Sequence, residues 1–336
     1  MHRITLSLLT FTLTFLPSIS QAGSDTAQSK QSVQPKQNSQ KNKAKHELKG
    51  RVNLGWQLET TERSLNDIDD VVSNASRIGL IGSIPIEEML NFVYQFEAQV
   101  DLANKLQGDS FSARNQYIGL RGDFGEVLIG RNDTLLKQSQ GLADKFNDYA
   151  VDIKRLWKGE NRIDKSITYK SSPYKDVQFG VMYQSQDSND FADGLSYFVR
   201  YGDFRLKKSD VFFAIGADRD IKGFNIERVN GKIKYKGMNI GLGYQNQHNL
   251  KNGHDSDGVL ANLAYPFKVL DHDVGIELQF QNLESDKAIS FGLDYFFDGK
   301  NKFYIWYSDV NQRDRLDTTF FSIGVEYHFG HVFSEF

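Results

Sequence analysis

Large apolar and polar residues alternate along most of the chain. The segment FFSIGVEYHF near the C-terminus places Phe321, Ile323 and Val325 on one face and Ser322 and Glu326 on the other. This period of two is that of a β-strand, whose successive side chains point to opposite faces. Sixteen such segments, each about ten residues long and bounded by turn residues, follow one another from residue 48 to residue 329.

The links between these segments alternate in length. The even-numbered links are short, such as residues 85–88, 123–124 and 298–300, whereas the odd-numbered links are mostly longer, such as 59–73 and 248–256. One rim of short turns and one rim of long loops is typical of an outer-membrane barrel, with the short turns on the periplasmic side. An even number of strands also suits this arrangement, because it brings both chain ends to the same rim.

The polar faces carry charges that a dry core cannot hold. Arg51, Glu97, Asp101, Arg121 and Asp164 all occupy polar positions of the pattern. Charges of this kind are costly to bury but can line water. The sequence therefore predicts an all-β fold, a transmembrane antiparallel β-barrel of 16 strands, with apolar faces toward lipid and charged faces around an aqueous lumen.

The N-terminus has the features of an export signal. His2 and Arg3 precede the apolar stretch 4–15, and Ala22 ends a Ser-Gln-Ala sequence that suits a signal peptidase. We therefore expect residues 1–22 to be a cleaved signal peptide. The apolar stretch is too short and too rich in Thr to favour an uncleaved anchor helix.

The remaining chain divides into three parts. Residues 23–47 are rich in Gln, Lys, Ser and Asn and predict a disordered periplasmic leader. The barrel is expected at residues 48–329. Residues 330–336 form a C-terminal extension, which the pattern allows either as a continued strand or as a short tail.

Composition excludes several kinds of site. The chain has 336 residues, a net charge of -3, seven His and no Cys. The absence of Cys excludes disulfides and thiolate metal sites, and the balanced charge gives no basic excess for nucleic acid. The His residues are scattered without the spacing of metal ligands. We expect no cofactor, no metal and no nucleic-acid partner.

Three stretches resemble a known family. YIGLRGDFGEVLIGR at residues 117–131, NRIDKSITYKSSPY at 161–174 and the closing segment GVEYHF are similar to general diffusion porins of the Gram-negative outer membrane. The resemblance implies a homotrimer of sixteen-stranded barrels in contact with outer-membrane lipid and lipopolysaccharide. It also implies that the barrel-assembly machinery reads the closing strand, and that the protein is not an enzyme but a passive channel for ions and small hydrophilic solutes.

The long link after the fifth strand is the candidate pore site. A structureless link as long as residues 132–160 is normally functional, and in the family that the chain resembles the corresponding loop folds inward and narrows the channel. Strand parity places several arginines in the lumen opposite this loop, which contains acidic residues. The expected constriction residues are Arg51, Arg77, Arg121, Arg162, Asp144 and Asp148.

Three other functions stay open at the level of sequence. A substrate-selective outer-membrane channel would share the same pattern. An anchor or adhesin would use residues 23–47 to bind the cell wall. A barrel hydrolase would need a nucleophile and a base, and His248, His254 and Ser256 lie close together in sequence.

Overall fold

The structure, a computed structural model, describes residues 43–334 except 63–66, 104–109, 142, 186–192 and 314. The expected signal peptide, most of the expected leader and the last two residues lie outside the described residues. Within the described ranges, no helix is both long enough and apolar enough to cross a membrane.

In the described part of the chain, seventeen strand segments form a single antiparallel sheet, with one short helix and one 3-10 turn between β6 and β7. The strands are β1 (Lys45–Thr61), β2 (Ile68–Ser73), β3 (Arg77–Glu87), β4 (Leu90–Val100), β5 (Phe111–Gly122), β6 (Gly125–Asp133), β7 (Arg162–Lys170), β8 (Val177–Gln184), β9 (Gly194–Gly202), β10 (Val211–Ile221), β11 (Phe224–Tyr235), β12 (Met238–Asn249), β13 (Asp255–Val269), β14 (His272–Leu283), β15 (Asp286–Asp298), β16 (Asn301–Asn311) and β17 (Thr318–Ser334); the helix is α1 (Leu135–Ser139) and the 3-10 turn is Ile153–Arg155.

The sheet closes on itself, because β1 pairs with β17 along its whole length. The segments β2 and β3 pair with successive parts of β1 and are separated only by residues 74–76. Ala75 adopts a φ of 51° at this break, which interrupts the strand. The two segments therefore count as one interrupted strand, and the predicted barrel of 16 strands is confirmed.

The strands run beyond the expected barrel bounds at both ends of the chain. Lys45 pairs with Ser334, so residues 45–47 and 330–334 belong to the sheet. The segment β2 is a further addition, since it lies in a link that the alternation pattern assigns to a loop.

The two faces of the strands have the polarity expected of a membrane barrel. In β17, Phe321 and Ile323 are 37% and 47% exposed on the outer face, whereas Ser322 between them is completely buried on the lumen side. In β12, Leu242 and Tyr244 are exposed and Gln245 is buried. Apolar side chains thus cover the outside, where they contact lipid, and polar side chains face the lumen.

Residues 134–161, which we call the inward loop, enter the barrel between β6 and β7. Near α1, Leu135 packs against buried apolar residues of β7–β10, namely Ile163, Met182, Phe198 and Ile221. Farther along the loop, a second cluster joins it to the opposite side of the barrel. That cluster contains Phe146, Tyr149, Val151, Ile153, Leu156 and Trp157 of the loop with Leu260, Ala288, Tyr304, Trp306, Val310 and Phe320 of the strands. The loop therefore crosses the lumen.

Candidate functional site

The lumen face of β11–β17, which we call the anchoring wall, holds the inward loop partly through the loop's backbone. Alternate positions of β11 point into the lumen and donate to three loop carbonyl oxygens. These bonds join Arg228 to Lys158 at 3.1 Å, Asn230 to Ser139 at 3.3 Å and Lys232 to Gly141 at 2.8 Å. Because backbone carbonyls are the acceptors, the wall fixes the path of the loop.

A buried ion pair ties down the C-terminal end of the inward loop. The Arg228 Nη1 atom lies 2.6 Å from the Glu160 Oε1 atom, and the two side chains are 0% and 5% exposed. The guanidinium also lies 5.5 Å from the ring centroid of Trp157, whose indole N–H donates to the Asn282 carbonyl oxygen at 2.7 Å. Loss of either charge would leave its partner buried and uncompensated.

Asp144 lies inside the inward loop, on the side of the anchoring wall. Its carboxyl oxygens accept hydrogen bonds from the backbone N–H groups of Phe146 and Ile153 and from the Gln279 side chain of β14. Burial, and then the charge of Asp152, raise the pKa of the Asp144 carboxyl to about 8. Asp144 therefore shapes the loop, and its contacts do not bring it to the expected arginines.

Asp148 is the loop acid that meets the expected arginines. Its Oδ2 atom lies 2.6 Å from the Arg51 Nη2 atom and 3.3 Å from the Arg77 Nη1 atom. Burial alone would raise the pKa of the Asp148 carboxyl, but the charges of Arg51 and Arg77 outweigh burial and hold it below its ordinary value. The structure thus brings three of the six expected residues together.

The backbone around this junction explains why these residues meet. The Arg51 Nη2 atom donates to the carbonyl oxygens of Asn74 and Ala75, both at 3.0 Å. The break between β2 and β3 leaves these two carbonyls without strand partners. Asp148 has a φ of 75°, and its N–H donates to the Asp152 carboxylate at 3.0 Å. A strand break and a left-handed loop residue together position the Arg51–Asp148 contact.

Arg162 lies on the same side of the lumen with other partners. Its Nη2 atom lies 2.9 Å from the Asp133 carboxylate, and its Nε atom donates to the Asn115 side chain at 2.7 Å. Arg121 lies elsewhere, directly before the short turn between β5 and β6, where it pairs with Glu126 at 2.7 Å and stays half exposed. Arg121 therefore lines the short-turn rim.

Arg114 is a lumen residue that sequence parity misses. Counting alternate positions back from Arg121 places Arg114 on the outer face. The pairing of β4 with β5 shifts between Phe96 and Ala98, so β5 carries a β-bulge there. The extra residue rotates Arg114 into the lumen, where its Nε atom donates to Glu97 at 2.6 Å. We call Arg51, Arg77, Arg114 and Arg162 the basic wall.

A water-accessible cavity of about 450 Å³ separates the inward loop from the basic wall. Its charged lining contains four cationic side chains, namely Arg114, Lys137, Lys154 and Arg162, and three anionic ones, namely Asp148, Asp152 and Glu160. Arg114 and Arg162 of the basic wall thus face the three loop acids across this space, while Lys137 and Lys154 belong to the loop.

The histidines considered for a hydrolase are not arranged around Ser256. Ser256 pairs with Gln247 and is buried on the lumen side, whereas His248 pairs with Asp255 at the neighbouring position, which points to the opposite face. The imidazole of His248 lies 2.7 Å from the Asp255 carboxylate, and that of His254 lies 3.5 Å from Glu284. Across the described residues, no group of three or more His, Asp or Glu side chains is placed to hold a metal ion.

Comparison with known proteins places this barrel among porins. A family model described as "Gram-negative porin" matches residues 10–332. A curated relative, the major outer membrane protein P.IB of Neisseria sicca, is 26% identical over 258 residues, which are 68% of this chain and 68% of that protein.

Solved structures share the fold. The anion-selective porin from Comamonas acidovorans superposes with a TM-score of 0.70 at 14% identity, covering 85% of this chain and all of that one. The trimer form of OmpT, an outer membrane protein of Vibrio cholerae, superposes with a TM-score of 0.61 at 17% identity, covering 86% of this chain and all of that one.

Proposed function

Because this chain belongs to the Gram-negative porin family, we propose that its channel is narrowest between the inward loop and the basic wall. The protein is an outer-membrane porin that forms a water-filled channel for passive diffusion of ions and small hydrophilic solutes. The observation that carries the proposal is the contact of Asp148 with Arg51 and Arg77 beside the open cavity. Arg121 and Asp144 receive no role in this constriction.

The arrangement of charges supports a transverse field across the passage. Arg114 and Arg162 of the wall and Asp148, Asp152 and Glu160 of the loop border the same cavity. A polar solute can orient in such a field, whereas an apolar solute loses hydration without compensation. Because the cations outnumber the anions and Asp148 is shared by two arginines, we infer a weak preference for anions.

Ion selectivity of single channels tests this proposal. In a planar bilayer with unequal KCl concentrations on the two sides, the reversal potential of the wild-type channel should indicate preference for chloride. Asp148→Asn should increase that preference, because it removes the negative charge that Arg51 and Arg77 share and leaves Arg51 only the more distant Glu326, at 3.8 Å. Asp298→Asn, at a short turn outside the cavity, is the matched control. A reversal potential that Asp148→Asn leaves unchanged would place the narrowest point elsewhere.

The same recordings separate general diffusion from a solute-selective channel. A general porin should conduct in proportion to bulk conductivity, because water and ions fill the lumen. A solute-selective channel would instead show current block that saturates with one class of solute. We propose general diffusion and no enzymatic activity, since opposed charges line the open cavity and the Ser256 and His248 side chains point to opposite faces.

We also propose that the protein assembles as a homotrimer in contact with lipopolysaccharide and that its C-terminal strand is read by the barrel-assembly machinery. The likeness to the trimer form of Vibrio cholerae OmpT supports the first of these. The mass of the purified protein in detergent, measured by light scattering, should equal three chains. A mass of one chain, or current steps that never occur in groups of three, would contradict the trimer.

A further inference from the structure

Four consecutive short turns share a sequence feature that the channel does not use. In each, an aromatic residue is followed directly by a cation at the end of one strand or in the turn. The pairs are Tyr174–Lys175 between β7 and β8, Phe204–Arg205 between β9 and β10, Tyr235–Lys236 between β11 and β12, and Phe267–Lys268 between β13 and β14. With Lys207 and Lys208 of the second turn, we call these cations and aromatics the basic arc. The turn between β3 and β4 instead carries Glu87 and Glu88.

In three of the four pairs, the cation also lies close to the face of its aromatic neighbour. The Nζ atom of Lys175 lies 5.5 Å from the centroid of the Tyr174 ring, and that of Lys236 lies 5.4 Å from the Tyr235 ring. The guanidinium of Arg205 lies 5.4 Å from the Phe204 ring. A cation held over an aromatic face is within the range of cation–π attraction. Three of the four turns therefore present an aromatic ring and a positive charge together.

The turns of the basic arc are connected to one another. The N–H of Gly202 donates to the Asp176 carbonyl oxygen at 3.0 Å, which links the first turn to the second. The N–H of Lys234 donates to the Asp210 carbonyl oxygen at 2.8 Å, which links the second to the strand of the third. The arc is therefore continuous along the rim from β7 to β12.

The longest of these turns is folded so that its cations stay outside. The Asp203 carboxylate accepts hydrogen bonds from the backbone N–H groups of Arg205, Lys207 and Lys208, at 2.9, 2.9 and 3.0 Å. These bonds, led by that from Arg205, hold the pKa of Asp203 below its ordinary value. Leu206 is buried against Phe204 and Phe212. The carboxylate thus organises the backbone while the three cationic side chains remain exposed.

Most cations of the basic arc have no acidic partner in the described part of the chain. Lys268 pairs with Asp273 at 2.9 Å, but Lys175, Arg205, Lys207, Lys208 and Lys236 form no ion pair within 4.0 Å there. Acidic residues do lie in the same turns, at Asp176, Asp203, Asp210, Asp271 and Asp273. Of these, Asp203 is occupied by backbone N–H groups. The arc therefore offers positive charge to a ligand.

The outward position of the aromatic rings indicates which kind of ligand the basic arc binds. Tyr235 is 53% exposed at the outward-facing end of β11, and Tyr265 and Phe267 stack on the outer face of β13 with their centroids 5.8 Å apart. Aromatic rings at this level belong to the interfacial belt, which sits at headgroup depth. A cation directly beside such a ring reaches the phosphates of lipid headgroups, and a cluster of cations attracts anionic ones.

We propose that the basic arc is a docking surface for anionic phospholipids of the periplasmic leaflet. The Tyr174, Tyr235 and Phe267 rings lie at the boundary of the acyl chains, and Lys175, Arg205 and Lys236 contact phosphodiester oxygens. Continuity with the outer aromatic belt favours a lipid over a soluble polymer. The surface is distinct from the basic wall, which faces the lumen.

Native mass spectrometry of the purified protein in detergent tests the proposal. The protein is titrated with phosphatidylglycerol or with phosphatidylethanolamine of the same acyl chains, and the number of retained lipids is counted. The test variant is Arg205→Gln/Lys207→Gln/Lys208→Gln/Lys236→Gln. The matched control removes the same charge at the long-loop rim, with Lys251→Gln/Lys287→Gln/Arg313→Gln/Arg315→Gln.

We expect the wild-type protein and the matched control to retain several-fold more phosphatidylglycerol than phosphatidylethanolamine, and the test variant to lose most of that preference. The preference should also weaken as salt is added, because exposed charges are screened. Equal retention of the two lipids by the wild type, or loss of preference in the control variant alone, would overturn the proposal. Isolated cell wall that binds the wild type but not the test variant, without any lipid preference, would assign the surface to a polymer instead.

Discussion

The basic wall and the anchoring wall are two halves of one lumen with opposite chemistry. The basic wall borders the open cavity with Arg114 and Arg162, and the inward loop reaches it at Asp148, which contacts Arg51 and Arg77. The anchoring wall presents amides, aromatic rings, Arg228 and Lys232 to the loop, whose backbone carbonyls accept their hydrogen bonds, and it also carries the Lys302–Asp294 ion pair. The basic wall faces the open cavity, whereas the anchoring wall binds the inward loop. The difference teaches that lumen position alone does not define a pore residue, since half of this lumen serves to hold the loop.

Removal of an aromatic anchor should have the largest effect on this contrast. Trp157 is completely buried and donates to the Asn282 carbonyl oxygen. Truncation of a buried Trp costs about 3–5 kcal/mol, and here we expect part of that cost to appear as release of the loop. Trp157→Ala should therefore give larger and noisier single-channel currents and a lower denaturant midpoint. Trp56→Ala, at the outer face, is the control and should leave the size of the current steps unchanged. If the current steps of Trp157→Ala had the same size and noise as those of the wild type, the position of the loop would not depend on this wall.

Two arginines that both face the lumen, but at different depths along the barrel, sharpen the contrast. Arg162 lines the cavity and Arg121 lies at the short-turn rim, although both face inward. A unit charge about 4 Å from an ion in water is worth roughly 1 kcal/mol, so Arg162→Gln should reduce the chloride preference by at most about fivefold. Arg121→Gln should change it less. The reversal potential at low salt measures both, and an equal or larger effect of Arg121→Gln would contradict the assigned constriction.

A change in pH should have a smaller effect, through the titration of Asp144 beside the anchoring wall. The pKa of Asp144 is raised to about 8, so the folded loop keeps a proton that the unfolded chain has already released. The stability of the loop should therefore fall as pH rises from the ordinary range of a carboxyl through about 8. The denaturant midpoint, measured between about pH 5 and about pH 9, should show this fall in the wild type. Asp144→Asn should flatten that part of the profile; a slope that persists in Asp144→Asn would assign it to another group.

The period-two pattern predicted all sixteen strands because it records which face meets lipid, and each predicted segment corresponds to a strand. The pattern does not record how far along the barrel axis a residue lies. Parity puts Arg121 in the lumen, but the β5–β6 turn that follows it sets its level at the rim. Arg121 lies seven positions after Arg114, which is about 23 Å of extended strand. Alternation therefore cannot say which inward charges share a level.

Local irregularities explain the remaining differences. The β-bulge in β5 turns Arg114 inward against strict alternation. The hydrogen bond that joins Asp144 to the anchoring wall comes from Gln279 of β14, more than a hundred residues away in sequence. One feature of the sequence does indicate the covered part of the lumen, since the segment FYIWY in β16 is apolar on both faces. Its inward residues Tyr304 and Trp306 pack on the loop. An apolar lumen face thus indicates where a strand is covered.

The most direct test of the central claim uses the absence of native Cys. Asn147→Cys places a thiol on the cavity between loop and basic wall, and Ala288→Cys places one on the anchoring wall beneath the loop. A charged methanethiosulfonate reagent added to single channels should lower the current through Asn147→Cys in discrete steps and leave Ala288→Cys unaffected. Unchanged current through Asn147→Cys, or block of Ala288→Cys, would contradict a passage between the loop and the basic wall.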